Sequence, residues 1–238
     1  MIRTELFKLR THRTPWVLFT IVVVAILIAP IYFAFKPPDD GQAVIDTFTL
    51  VFEAVTPLLG TIFGGWVIGH EFRHGTLRRV LGSDARRRRL IATKAAVGFG
   101  SFTVGMTLAA GIGALASAAS VASFGGAIEF DGLTRDILGS EFMALVPAVI
   151  AFALSIILRS DTYSILGALA LMIIVGPLLG LIPRVGKYSP PSLALDVSAW
   201  INGSGDLEVS IIPASLGLAA FLGALAAASL ATFQRRDI

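Results

Sequence analysis

Six apolar runs, at about residues 15–36, 47–69, 95–117, 138–158, 163–182 and 211–231, occupy most of this 238-residue chain. Each is close to the twenty or so residues that a helix rising ~1.5 Å per residue needs to cross a hydrocarbon core of ~30 Å. The pattern predicts an all-α integral membrane protein with six transmembrane helices in one domain spanning 1–238. Composition agrees: 55% of residues are hydrophobic, 15% are charged and mean hydropathy is +0.81, which is too apolar for a soluble domain of this length. The absence of cysteine rules out disulfides, thiolate nucleophiles and cysteine-based zinc or iron–sulfur sites.

Residues 1–13 read differently. Ile2, Leu6 and Leu9 recur at helical spacing while Arg3, Lys8, Arg10 and Arg13 fill the remainder, the pattern of a short helix lying in the membrane interface. Thr14 can cap the first span, Pro15 suits its first turn, and Trp16 and Tyr32 stand near its ends as interfacial aromatics. A signal peptide would have a shorter apolar core, and no small-x-small cleavage site precedes Lys36-Pro37-Pro38. In the second span Gly60 and Gly64, then Gly65 and Gly69, have the spacing that permits close helix approach in lipid. Glu53 lies about two turns inside this span, either as a pathway residue or at the outer interface. Arg159 and Ser160 predict a tight turn with Asp161 capping the fifth span, Pro177 and Pro183 predict a kink or stop in it, and residues 189–200 predict a short outer helix anchored by Trp200.

The stretch from Gly69 to Lys94, GHEFRHGTLRRVLGSDARRRRLIATK, must lie outside the hydrocarbon. Each Arg at mid-bilayer costs ~2.5–3.5 kcal/mol, so the Arg86 to Arg89 run alone would cost on the order of 10 kcal/mol. An even number of spans puts both termini on one side, with this stretch. Fifteen of the nineteen Lys and Arg fall on that side and four on the other. By the positive-inside rule the termini and the basic stretch face the cytoplasm, in a multi-pass protein of the cell membrane.

Within the stretch, residues 76–81 contain no breaker, so the second helix is expected to continue to about Leu81, with Gly82 ending it and Ser83 or Asp84 capping a second short helix that leads to Lys94. Such a cytoplasmic hairpin over 70–94 could be a topology anchor holding anionic lipid. Nucleic acid is not an expected partner, because the arginines have no interleaved aromatics.

The layout resembles the ATP-binding-cassette type 2 (ABC-2) transporter permease family. The resemblance rests on the N-terminal interfacial helix, the six spans, a Glu-x-x-x-Gly-Thr motif made of Glu71, Gly75 and Thr76, the basic loop closed by Lys94, and the basic ending at 233–238. The chain departs from the family pattern at Ser83, Asp84 and the four arginines, where family members often carry Pro and Ser-Arg. The resemblance implies a permease subunit of an ATP-driven exporter, working as a homo- or heterodimer. It implies a partner ABC ATPase that binds ATP and magnesium, with no cofactor in this chain. It further implies that the loop transmits the ATPase's motion, through Glu71, Gly75, Thr76, Gly82, Asp84, Arg86, Arg87 and Lys94. The sequence has no G-x-x-x-x-G-K-[ST] motif, as a chain relying on another subunit's ATPase would not need one.

His70-Glu71-Phe72-Arg73-His74 also matches the zinc-protease pattern H-E-x-x-H. That chemistry needs neutral imidazoles and a third ligand, whereas Arg73, Arg78 and Arg79 crowd this segment and the remaining histidine, His12, is in the N-terminal arm. A membrane anchor or sensor subunit that recruits an ATPase without transporting is the other alternative.

Overall fold

The computed structural model describes residues 2–38, 40–76, 87–127, 130–182, 184–205 and 207–235, the side chains of Arg87 and Arg235 excepted. Among these residues every regular element is helical. The order is α1 (Ile2–Thr11), α2 (Arg13–Phe35), α3 (Gln42–Arg73), α4 (Arg87–Ser123), α5 (Leu133–Leu158), α6 (Asp161–Ala170), a π-helical turn (Leu171–Val175), α7 (Gly176–Gly180), a 3-10 turn (Gly186–Tyr188), α8 (Pro190–Asn202) and α9 (Ile211–Arg235). Six stretches are long and apolar enough to cross a membrane: α2, α3, α4, α5, α6 continued through α7, and α9. The protein is an all-α multi-pass membrane protein.

Helix α3 is the centre of the bundle, and α5 is its most intimate neighbour. The reason is glycine. A Cβ added at Gly60 or Gly64 would run into the carbonyls of Ala144 and Ala148, so these two glycines let the α3 and α5 backbones touch. Gly65 and Gly69 serve a different partner, because there a Cβ would meet Ile165 at 2.5 Å and the Asp161 Cα at 2.6 Å, both on α6. In lipid no hydrophobic effect separates helix from tail, so van der Waals contact of this kind, with interhelical hydrogen bonds, holds the spans together. Ser155 supplies such a bond, its Oγ lying 3.0 Å from the Gly65 carbonyl and 2.7 Å from Ser164 Oγ.

Larger side chains fill what the glycines leave. Val22 and Ile26 of α2, Phe48 and Phe52 of α3, and Phe102 and Met106 of α4 form one buried cluster. Val146 and Ile150 of α5, Leu193 of α8 and Leu218 of α9 form a second. A third, smaller cluster of Ile68, Leu90, Phe152 and Phe233 joins α3, α4, α5 and α9 at one end of the bundle.

Several boundaries differ from the sequence reading. Helix α4 runs on to Ser123, because the Ala- and Ser-rich residues after 117 contain no breaker until Gly125, whose φ of +75° turns the chain. Helix α2 starts at Arg13 behind an extended His12 that makes no side-chain cap, so Thr14 is inside the helix. Ser160, not Asp161, caps α6, accepting a hydrogen bond from the Tyr163 N–H at 3.3 Å. The fifth span widens into a π turn just before Pro177. Proline offers no N–H to the Ile173 carbonyl and its ring crowds that carbonyl, and the chain responds with a five-residue step in which the Gly176 N–H donates to the Leu171 carbonyl. Pro183 is outside the described residues. Helix α8 is the short helix expected near 189–200, capped by Ser189. The Asp196 carboxylate accepts hydrogen bonds from the backbone of Glu208 and Val209, which ties the following loop onto α8.

Candidate functional site

The end of α3 is an ordered stop. After Arg73 the chain passes through His74 and into Gly75 at φ +63°, a left-handed conformation that a side chain would strain. The Gly75 N–H donates to the Phe72 carbonyl at 3.3 Å, and the Thr76 hydroxyl donates back to the Glu71 carbonyl at 3.4 Å. Helix α3 therefore does not continue to Leu81 as expected: the breaker is Gly75. Gly82, Asp84 and Arg86 lie outside the described residues, and Arg87 is described only as the first residue of α4.

One turn above this stop, Glu71 points into the bundle and closes a ring of four charges. Lys94 Nζ of α4 is 2.6 Å from Glu71 Oε1 and 2.9 Å from Glu5 Oε2 of α1. Lys8 Nζ of α1 is 2.7 Å from the same Glu71 oxygen and 3.3 Å from Glu5 Oε1. Carboxylate and ammonium thus alternate around the ring, which carries no net charge. Its α3–α4 side is dry, with the Lys94 side chain 1% exposed and that of Glu71 7%. Burial alone would lower the Lys8 pKa, but the hydrogen bond and charge of Glu71, with Glu5 adding to both, outweigh it and hold the ammonium above the ordinary lysine value. Removing one partner of such a buried set strands the other charge, at a cost of about 3–5 kcal/mol.

Three helices that are far apart in sequence are bound at this point. A second tie holds α6 there: Arg73 Nη2 lies 2.6 Å from Asp161 Oδ1 and 3.1 Å from Thr162 Oγ1. Beside the ring, His12, Trp66, His70 and His74 pack ring against ring, with centroids 4.9 Å apart for His12 and His70 and 4.2 Å for His70 and His74. A cavity of about 240 Å³ lies between the histidines and the lysines.

This arrangement does not suit the zinc-protease pattern. The base that pattern requires, Glu71, is engaged by two ammonium groups, and His74 Nδ1 is 2.9 Å from the His70 backbone carbonyl. His12 does reach His70, yet among the described residues no group of three or more His, Cys, Asp or Glu is placed to hold a metal ion.

At the far end of the bundle, Glu53 is exposed and 3.5 Å from Ser140 Oγ, on a cavity of about 480 Å³ that Pro57, Met143, Asn202 and Ser204 also line. It precedes Glu71 by eighteen positions, about 27 Å along the helix axis. That is nearly the full depth of a hydrocarbon core. Next to Ser140, Glu141 is buried and accepts a hydrogen bond from Thr107 at 2.8 Å. Sequence reasoning missed Glu141, although a lone carboxylate near the start of an apolar run is a readable signal. It also missed Glu5 and Lys8, whose spacing is that of any solvated helical face.

A family model described as ABC-2 family transporter protein matches residues 1–176, which takes in the ring, the glycine stop, four whole spans and the fifth through its π turn. The chain belongs to the ABC-2 transporter family. No curated protein matches it. As an ABC-2 protein it is a membrane component of a transporter, and the Glu71-to-Thr76 motif is the point where its second span ends and its N-terminal helix is bound.

Proposed function

We propose that this chain is the permease subunit of an ATP-driven exporter, moving its substrate across the cell membrane with energy from a separate ABC ATPase. The observation that carries the reading is the buried charge ring. It joins α1, α3 and α4 close to the end of α3 and the start of α4, the two helices that the basic segment 77–86 connects in sequence. A force applied to that segment by an ATPase would reach two spans through their ends. An ion-paired junction resists being pulled apart more than an apolar contact that slides. In this reading Glu71 and Lys94 hold the junction, while Gly75 and Thr76 fix the angle at which the segment leaves α3. Gly82, Asp84, Arg86 and Arg87 would meet the ATPase.

The ring end of the bundle would face the cytoplasm. Its described charged side chains belong to the group that the Lys and Arg distribution assigns to that side, and Arg88 Nη2 lies 3.5 Å from Gln234 Oε1, so the end of α9 is there too. Two permease copies, identical or not, would enclose the pathway, with Glu53 at its outer part. The substrate's chemistry is open.

Co-expression with a candidate ABC ATPase subunit, purification and reconstitution into proteoliposomes test this. The two chains should co-purify, and Glu71→Gln, which keeps the shape but removes the charge, should abolish stimulation of ATP hydrolysis by the permease. Gly82→Val should do the same if the turn in the segment is defined. Normal stimulation and export in both variants at matched expression would refute the coupling role, and failure to associate with any ATPase would refute the permease reading.

A further inference from the structure

A groove of about 550 Å³ runs between α1, α2 and α4. Its walls are apolar: Leu6 and Leu9 of α1, Trp16 and Phe19 of α2, and Phe102, Val104 and Leu108 of α4. It is open to the surroundings, since Leu6, Trp16, Val104 and Leu108 are each about half exposed or more. Along α4 it extends from Gly100 to Leu108, about 12 Å at 1.5 Å per residue. A single leaflet's hydrocarbon is ~15 Å deep. The groove is therefore as deep as one leaflet and far too short to cross two.

Its rim carries a charge. Arg10 lines the end of the groove on α1, is exposed, and among the described residues makes no ion pair, although Lys8 two positions away is held in the ring. The Arg10 carbonyl accepts a hydrogen bond from Trp16 Nε1 at 3.1 Å, which fixes the indole across the bend between α1 and α2 at the polar end of the groove. An unpaired guanidinium above a leaflet-deep apolar trough matches one kind of molecule, a lipid with an anionic headgroup and an acyl chain below it.

We propose that this groove is a binding site for an anionic phospholipid, with the headgroup on Arg10 and one acyl chain between Trp16, Phe19 and Val104. The site needs α1 at a membrane surface, and it rests on the proposed orientation only for the leaflet, which is then the cytoplasmic one. A lipid meets both features with one molecule, whereas a second copy of the chain would have to bring an acid to the rim of the same apolar face. The lipid would pack on Leu6 and Leu9 of α1, the helix whose Glu5 and Lys8 enter the ring, so it would hold that helix down at the junction.

The glycines in the groove wall permit a clean test. A Cβ at Gly100 meets nothing within 4 Å, and one at Gly105 meets only Phe19 Cδ2, at 3.8 Å. A side chain can therefore start from either position without a backbone clash at its Cβ, and Gly100→Leu and Gly105→Leu place apolar bulk in the wall of the trough. The full chain in detergent micelles is titrated with phosphatidylglycerol or phosphatidylcholine and the retained lipid counted by native mass spectrometry. One phosphatidylglycerol should be retained in preference to phosphatidylcholine. Arg10→Gln should weaken it about fivefold, the weight of one Lys or Arg at an anionic surface, and each glycine variant should remove it. Arg13→Gln, which alters a charge away from this groove, should change little. Equal retention of the two lipids, an Arg13→Gln effect as large as that of Arg10→Gln, or undiminished binding in both glycine variants would each overturn the proposal. Micelles have no sides and no ATPase is present, so this result is independent of whether the orientation and transport readings stand.

Discussion

Glu71 holds two lysines through one oxygen, Oε1, while its other oxygen is shielded and without a hydrogen-bond partner among the described residues. Its removal therefore releases more than one contact. Glu71→Ala leaves Lys94 buried with only Glu5 to balance it, and should lower stability by about 3–5 kcal/mol. Replacing Glu71 and Lys94 together with leucine removes both buried charges and should cost clearly less than the sum of the single changes. Thermal unfolding of the wild type, Glu71→Leu, Lys94→Leu and the double leucine variant in one detergent measures the difference, and additive losses would show that the pair is not a unit. The sequence motif already pointed to Glu71 and Lys94. It did not point to their partners, because Glu5 and Lys8 are ordinary polar positions of an amphipathic helix until that helix is docked.

At the scale of elements, glycine spacing on α3 decides the packing. The two pairs sit on adjoining faces of one helix, and each pair matches a different neighbour: Gly60 and Gly64 face Ala144 and Ala148, while Gly65 and Gly69 face α6. Gly64→Ala would put a methyl group against the Ala148 backbone, which cannot rotate away as a side chain could. It should destabilise the bundle by about 1–3 kcal/mol, the range for an overpacked interior. Gly111→Ala is the control, since its Cβ meets nothing within 4 Å. Equal melting temperatures for the two variants would mean that α3 and α5 can separate at little cost. The spacing showed that close approach was possible, but the choice of partner depended on where small residues of α5 and α6 came to lie.

For the whole molecule, the sidedness of the membrane protein follows from charge, and the cysteine-free sequence makes it measurable. Single cysteines at Ala85, in the sequence between α3 and α4, and at Ser204, after α8, test it. With a membrane-impermeant thiol reagent on intact cells, only the cysteine at 204 should be labelled. Labelling at 85 alone would invert the assignment. Both termini would follow, because the ends of α1 and α9 are at the same end as the α3 stop.

Sequence alone determined the class of the molecule and the exclusion of its arginine run from the hydrocarbon. Twenty-residue apolar runs have one stable form in lipid, and four successive arginines cannot enter hydrocarbon, so both conclusions follow from local chemistry. Local reading failed where a neighbour made the choice. Residues 76–81 look continuous with α3, yet the helix stops at Arg73 because Gly75 can turn left-handed while Glu71 is held by α1 and α4. Asp161 looks like a cap, yet Arg73, eighty-eight positions earlier, pairs with it and Ser160 caps instead. Tertiary structure alone decided these cases, because a carboxylate takes whichever donors the fold brings within reach: Asp161 Oδ1 accepts from the Arg73 guanidinium as well as from the Thr162 N–H.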